Sequence, residues 1–426
     1  MTMPTMCLLI LFSVIYGSVA THHFSRNLQT LSSDSNDQPY RTAYHFQPPK
    51  NWINDPNGPM RYGGLYHLFY QYNPKGAVWG NIVWGHSVSK DLVNWTTLDP
   101  AIFPSQPSDI NGCWSGSTTL LPGNKPTILY TGINSMNKQV QNLAKPKNLS
   151  DPFLREWVKF PQNPVMAPTS DNNIVPDSFR DPTTAWLGQD GHWRVLVGSR
   201  RRTRGMALLY RSKDFVNWVQ AKHPFYSTKD SGMWECPDFF PVLKNGQLGV
   251  ETSVNGDDVR HVLKASLKGH DDYIIGNYNT SKDVFVPDKG FDEFVLRFDY
   301  GKYYASKSFF DDGKKRRVLL GWVDESSSEA DDIKKGWSSL NKDNDLTTYG
   351  AFVDVEPLHE QLSLRTLTDH SVVESFGGEG RACITARVYP TLAINDKAQL
   401  YAFNNGTADV NITRLNAWSM KKAQIN

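Results

Sequence analysis

Two stretches of this chain match one another from end to end. One opens at Asn54-Asp55-Pro56, runs through Arg61-Tyr62-Gly63-Gly64-Leu65-Tyr66-His67-Leu68-Phe69-Tyr70 and closes on Ser89-Lys90-Asp91-Leu92-Val93-Asn94-Trp95. The other opens at Arg180-Asp181-Pro182, runs through Leu187-Gly188-Gln189-Asp190-Gly191-His192-Trp193-Arg194-Val195-Leu196-Val197 and closes on Ser212-Lys213-Asp214-Phe215-Val216-Asn217-Trp218. A self-similar block of short aliphatic and aromatic runs parted by Gly-rich turns is the signature of a blade in a β-propeller, which buries its faces only against neighbouring blades. The expectation is an all-β fold arranged around one axis.

A third acidic residue stands in a related context, Met233-Trp234-Glu235-Cys236-Pro237. If Asp55, Asp181 and Glu235 each open the innermost strand of a blade, equivalent positions in successive blades bring them to one funnel. Asp and Pro also favour turns for local reasons, so a single motif reads equally well as turn punctuation. Three acids flanked by Trp, Phe or Arg read better as the carboxylates of a carbohydrate-cleaving site.

With 426 residues and 39% hydrophobic content, the chain can bury one large core or two ordinary ones. Thirteen Trp suit a sugar-binding cleft, where the apolar faces of sugar rings stack on indole; Trp95 and Trp218, inside the repeat, read as blade core. A formal net charge of +2 without a long block of like charge gives no footprint for nucleic acid. The run Arg200-Arg201-Arg202-Thr203-Arg204 reads as a solvated loop, with a weak anchor to acidic polysaccharide as the alternative. No phosphate loop, dinucleotide fingerprint or metal-ligand spacing is present; Asp324 to Asp332 lacks the periodic ligands and Gly of a calcium loop and reads as an exposed loop. No cofactor and no metal are expected.

Residues 1–20 read as a secretory leader: an apolar stretch from Cys7 to Tyr16, then the small-x-small cleavage site Ser18-Val19-Ala20. The stretch is about half the length of a membrane span, so a secreted protein is expected. Sequons at Asn94, Asn148, Asn279, Asn405 and Asn411 fit that route. Cleavage leaves Cys113, Cys236 and Cys383, an odd number that forbids a complete disulfide framework. Cys236 reads as a small buried neighbour of Glu235, since nothing places a base beside it.

Asn54-Asp55-Pro56-Asn57-Gly58, Arg180-Asp181-Pro182 and Glu235-Cys236-Pro237-Asp238, in that order, resemble the three signature motifs of the plant acid invertases and fructan exohydrolases, the β-fructofuranosidase family of glycoside hydrolases. The resemblance covers residues 40 to 337, and Pro237 is similar to the cell-wall branch. It implies a five-bladed β-propeller followed by a β-sandwich, and places the protein at the cell wall, acting on sucrose or fructans. It also implies that Asp181 stabilises the transition state through fructose hydroxyls, with Arg180 beside it. Gln71, Trp79, Trp114 and Ser115 fall on sugar-contacting positions, and Trp52, Trp79 and Trp114 would form an aromatic rim.

The chemistry can be argued from the residues as well. A retaining glycosidase needs an ionised carboxylate to attack the anomeric carbon and a protonated carboxyl to donate to the leaving oxygen. Asp55, on the shorter side chain, suits the nucleophile, with Asn54 and Asn57 able to donate hydrogen bonds to it. Glu235 suits the acid/base, because desolvation between Trp234 and Cys236 and two nearby acids favour the protonated form. Adjacent residues on a regular strand face opposite sides, so Arg180 and Asp181 both reach the sugar only if the backbone is irregular there, which Pro182 permits.

Two departures from the family pattern stand out. Members that prefer sucrose carry an Asp soon after the strand corresponding to Val262–Leu267, with a basic residue three positions on; here the shorter loop reads Lys268-Gly269-His270-Asp271. Sucrose specificity is thereby open, and a fructan exohydrolase with little sucrose activity is an alternative. Furthermore, the chain follows the propeller to Lys335-Gly336-Trp337 and passes at Ser338-Ser339-Leu340 into what resembles the late part of the sandwich. The division expected is a leader over 1–20, a propeller over 40–337 and a partial sandwich over 338–426. The missing segment leaves a catalytically silent sugar-binding or regulatory protein as a further alternative.

Overall fold

The computed structural model describes residues 40–169, 172–294, 296–324, 348–353, 361–390, 392, 397–407 and 409–426. The leader and the junction at Trp337-Ser338 lie outside them, as does most of the acidic stretch from Asp324 to Asp332. Five antiparallel sheets follow one another along the chain. The first contains β1 (Trp52–Tyr62), β2 (Leu65–Asn73), β3 (Val83–Ser89) and β4 (Trp95–Ile102); the second β5 (Cys113–Leu121), β6 (Lys125–Ile133), β7 (Gln139–Pro146) and β8 (Trp157–Lys159). In the third, β9 (Phe179–Arg180) and β10 (Trp186–Leu187) share the innermost position against β11 (Trp193–Arg201), while β12 (Arg204–Ser212) carries both β13 (Val219–Gln220) and β14 (Tyr226–Thr228). The fourth comprises β15 (Glu235–Leu243), β16 (Val259–Leu267), β17 (His270–Asn279), β18 (Val284–Pro287) and β19 (Leu296–Arg297). Among the described residues the fifth has two strands, β20 (Tyr303–Asp311) and β21 (Arg316–Val323).

The sequence repeat is a repeat of hydrogen bonds. Between β3 and β4, Ser89 Oγ donates to Asp91 Oδ1 (3.1 Å), which accepts the backbone N–H of Val93 (2.8 Å) and Asn94 (2.7 Å), and Asn94 Nδ2 donates to Asp91 Oδ2 (2.7 Å). Ser212, Asp214, Val216 and Asn217 make the same turn at 3.0, 2.9, 2.8 and 2.7 Å. Leu92 and Phe215 adopt the same left-handed conformation, and the Trp95 and Trp218 indoles donate to their carbonyls at 3.2 Å. A local Asx network thus fixes where each third strand turns back, and the Trp that follows is delivered to the blade core.

Packing between blades supplies the core. Trp84, Phe69 and Tyr130 sit between the first and second sheets, Phe179 and Val197 with Leu129 between the second and third, and Trp186 and Phe239 with Leu263 between the third and fourth. Tyr66, Leu68, Tyr70 and Trp95 meet Phe309 between the first and fifth, which closes the ring. Each such side chain contributes about 1.5 to 3 kcal/mol on burial. The joint between the fourth and fifth sheets is built differently: Lys264 and Lys307 are both buried, and Asp238 and Asp271 accept the backbone N–H of Ser308 and Ser306, each at 2.8 Å.

A three-stranded sheet, β22 (Leu364–Asp369), β23 (Val372–Gly377) and β24 (Ala382–Arg387), follows the propeller. It docks on the connection between the fourth and fifth blades, where Asp299 accepts the Thr385 N–H (2.9 Å) and hydroxyl (2.8 Å). It also holds the segment before β1: Asp369 Oδ2 accepts the N–H of Tyr44 and His45 (2.9 Å each), while the His45 ring bridges Asp369 and Glu374, again at 2.9 Å. The last residues return to the first blade, where Ile425 lies parallel to Trp95 and Trp95 N–H donates to the Gln424 carbonyl (2.7 Å).

Burial alone would lower the His45 pKa, but the hydrogen bonds with Asp369 and Glu374 outweigh it and raise it to about 9 from an ordinary 6.5. The stability this contributes is complete below pH 6.5 and is lost as pH rises through about 9. Asp369 is shifted down, its own desolvation overcome by His45 and the three backbone donors, so its share is lost only as pH falls below the ordinary carboxylate range. Amide hydrogen exchange at residues 43–45 should therefore stay slow at about pH 6 and quicken, after correction for intrinsic rate, by about pH 10. His45→Gln should flatten that dependence; a wild-type profile equally flat would contradict the clamp.

Candidate active site

Four innermost strands carry a register irregularity near the same end: between Ile53 and Pro56 in β1, Trp114 and Gly116 in β5, Glu235 and Asp238 in β15, and Tyr304 and Lys307 in β20. In the third blade the strand is broken outright between β9 and β10. A bulge re-aims side chains that a regular pleat would send to opposite faces. Asp181 (φ 67°), Cys236 (φ 42°) and Ala305 (φ 54°) take left-handed conformations at these steps. Gly198 makes room for one of them, since a Cβ there would stand 2.1 Å from the Trp234 carbonyl oxygen.

The acids come from the first, third and fourth blades rather than from three in a row, and the second and fifth add partners to those that their own blades supply. Asp55 Oδ2 accepts from Ser115 Oγ (2.6 Å) and from the Cys236 thiol (3.2 Å), and its Oδ1 from Asn54 Nδ2 (3.0 Å). Asp181 is buried; its Oδ2 accepts the Cys236 N–H (2.8 Å), and its own N–H donates to Thr131 Oγ1 (2.8 Å). Arg180 Nη2 donates to Glu235 Oε1 (2.6 Å), while its Nε lies 3.8 Å from Asp181 Oδ2. The Tyr304 hydroxyl donates to Glu235 Oε2. Cys236 thus touches two of the acids, and Arg180 lies against two, so the three carboxylates form one cluster.

Burial raises the Asp181 pKa, against the opposing pull of Arg180. Desolvation would depress Arg180, but Asp181 and Glu235 hold it above its ordinary value. Burial, then the charges of Asp181 and Asp55, push the Cys236 thiol well up, so it stays a hydrogen-bond donor. Tyr304 is likewise raised, by burial first and Glu235 second.

Two sequence expectations need correction. Asn57 does not reach Asp55: it lies beyond the irregularity between Ile53 and Pro56, back in register opposite Phe69, and its amide is fully buried without a partner; Ser115 and Cys236 take its place. Glu235 is not enclosed by Trp234, whose indole points away to Ser231 Oγ (2.9 Å); its neighbours are Arg180 and Tyr304, and its side chain is 36% exposed. The expected irregularity at Arg180-Asp181 is present, and both side chains meet the cluster.

The remaining expected residues surround it. Trp52 is buried and fixes Asn54, its indole donating to Asn54 Oδ1 (2.7 Å). Gln71, also buried, donates to the Cys113 carbonyl (3.2 Å), one residue before Trp114. Trp79 is 53% exposed and meets the Trp114 ring edge-on at 5.6 Å. Sequence reasoning missed Tyr304 and Thr131, and it missed the two buried lysines that hold the bulge: Lys264 Nζ donates to the Cys236 carbonyl (3.1 Å) and Lys307 Nζ to that of Pro237 (3.0 Å). The only signal was position, since Tyr304 stands immediately before the irregularity of its innermost strand as Glu235 does.

The sequence models of the glycosyl hydrolases family 32 N-terminal domain and C-terminal domain match residues 45–342 and 309–419. The chain is 54% identical to the cell wall isozyme of β-fructofuranosidase from Pisum sativum, covering 94% of this chain and 99% of that one. It is 48% identical to fructan 6-exohydrolase from Beta vulgaris, covering 92% and 88%. Among solved structures, fructan 1-exohydrolase IIa from Cichorium intybus superposes with a TM-score of 0.88 at 42% identity, covering 92% of this chain and 99% of that one.

Thiol reactivity checks the buried arrangement. Burial holds Cys113 and Cys236 well above the ordinary thiol range, while Cys383, half-buried, is raised to about 11. Iodoacetamide at about pH 8 should label Cys383 of the folded chain first and the other two only on unfolding. Rapid native labelling of Cys236, read by peptide mass spectrometry, would mean that it is not packed against Asp55 and Asp181.

Proposed function

The chain belongs to glycosyl hydrolase family 32, and from that premise we propose that it is a secreted, retaining β-fructofuranosidase of the cell-wall branch, hydrolysing terminal β-D-fructofuranosyl residues of sucrose or fructans. The observation that carries this reading is the cluster itself, in which Asp55 and Glu235 face one space with different partners. Asp55, held by Ser115, Cys236 and Asn54, attacks the anomeric carbon. Glu235 gives its proton to the leaving oxygen, and the carboxylate so formed is received by Arg180 and Tyr304. A water activated by Glu235 then releases fructose from the Asp55 ester. Asp181 keeps its Oδ1 for fructose hydroxyls, and Trp79 and Trp114 offer ring faces to the sugar. The exposed Arg201, Arg202 and Arg204 side chains, on the hairpin joining β11 to β12 at the end where β11 pairs with Arg180, suit an anchor to acidic cell-wall polysaccharide. One observation favours a silent sugar-binding protein as the second reading: the fifth sheet has two strands among the described residues. Fructoside binding without turnover would select it.

Asp55→Asn and Glu235→Gln should each lower kcat by about 10² to 10⁴. A substrate with a good leaving group should restore the first step in Glu235→Gln but not in Asp55→Asn. Equal rescue of both would refute the roles given to them.

The loop after Leu267 sets a second test. Lys268 (φ 50°) and Gly269 (φ 85°) form a two-residue hairpin turn that pairs Leu267 with His270, leaving no room for a carboxylate reaching a glucosyl group. Asp271 is committed elsewhere, accepting from Ser266 Oγ (2.6 Å) and pairing with Lys264 (3.1 Å), so a basic residue cannot replace it. Discrimination between sucrose and a terminal fructosyl residue of inulin or levan should be small. Inserting an Asp-bearing loop between Leu267 and His270 should raise sucrose kcat/KM by about tenfold, one hydrogen bond to a charged group. A native preference for sucrose far above that would assign glucose recognition to another residue.

A further inference from the structure

β15 starts at Glu235 and runs away from the acids, so residues 244–258, which join it to β16, lie at the opposite end of the propeller. There, between the third and fourth blades, a cavity of about 270 Å³ opens. Its wall consists of three buried rings, Trp186, His261 and Tyr278, and its rim includes Gln189, Asn255 and Thr280. None of the lining residues carries a formal charge. His261 is stacked on Phe239, with ring centroids 5.0 Å apart and planes at 10°; the Val254 backbone acts on the ring, but the buried Nδ1 has no hydrogen bond of good geometry. Burial draws its pKa down to about 4, leaving the ring neutral. The Trp186 indole N–H is also without a bond of good geometry, although it acts on the Tyr278 hydroxyl, whose proton goes to Asp283.

An orphaned polar atom in a native core calls for a partner, either a water or a ligand. Aromatic walls combined with neutral amides and hydroxyls exclude an ionic ligand, for which no counter-charge is present, and suit a molecule having both an apolar face and several hydroxyls. The volume lies just below the ~300 to 1,000 Å³ of common ligand pockets and accommodates one ring rather than a chain. We propose that this cavity is a second, non-catalytic carbohydrate site, which holds a single neutral hexopyranose ring against Trp186 and Tyr278 with a hydroxyl donated to His261 Nδ1.

The probe is methyl α-D-glucopyranoside, which lacks a fructosyl unit, followed by saturation-transfer NMR on the full chain. Transfer should be observed, should survive excess fructose, and should fall at least fivefold in both His261→Phe and Asn255→Trp. The second variant fills the mouth from an exposed loop and tests the site even if the first disturbs the core; near-UV circular dichroism verifies folding of each. Absence of transfer, transfer unchanged in the folded variants, or displacement by fructose would each overturn the assignment, the last by placing the sugar among the acids.

Discussion

A strand sends alternate side chains to opposite faces, and five strands converging on an axis would waste half of their first residues on the blade interior. The irregularity at the head of each inner strand removes that restriction. It lets Arg180 and Asp181, adjacent in sequence, both reach the cluster, and it lets Cys236 present its N–H to Asp181 and its thiol to Asp55. Such a backbone needs holding, because left-handed non-glycine residues of this kind cost on the order of 1–3 kcal/mol each. Around Cys236 and Pro237 the holding groups are two ammonium ions, Lys264 and Lys307, each taking a carbonyl that the bulge has removed from the ladder.

Those lysines also explain why one joint of the ring is polar. Lys264 donates to the Ser306 carbonyl as well as to Cys236 (2.9 Å), and it pairs with Asp271, which accepts from Ser306 N–H. The fifth blade is therefore bonded to the fourth through the group that shapes the backbone after Glu235. Apolar surfaces tolerate small slides, whereas this joint has directional bonds and fixes Tyr304 relative to Glu235. Removing one partner of such a buried pair costs about 3 to 5 kcal/mol, so the site and the closure of the ring are coupled.

Much of this was legible in the chain because it is local and repeated. The Asp91 and Asp214 turns are written in seven consecutive residues each, and the motifs around Asp55, Asp181 and Glu235 carry their own aromatic, Arg and Pro flanks. What was not legible depends on contacts across blades. Ser115 could be placed beside the acids only by resemblance; Thr131, Lys264, Lys307 and Tyr304 bear no flanking motif, and each acts through an atom far away in sequence. Asn57 misled for the opposite reason, since proximity in sequence to Asp55 suggested a contact, whereas the strand is back in register at Asn57 and buries its amide.

The mixed character of the joints also means that the ring does not respond uniformly to temperature. Apolar burial weakens on cooling, so the joints packed with Trp84, Phe179, Trp186 and Phe309 lose strength in the cold, whereas the lysine-stitched joint has little apolar stabilisation to lose. Heat loosens ordered bonds throughout and removes that difference. The point at which the propeller first opens is thus expected to move around the ring with temperature, and the Glu235 side of the cluster, next to the polar joint, keeps its geometry longest in the cold.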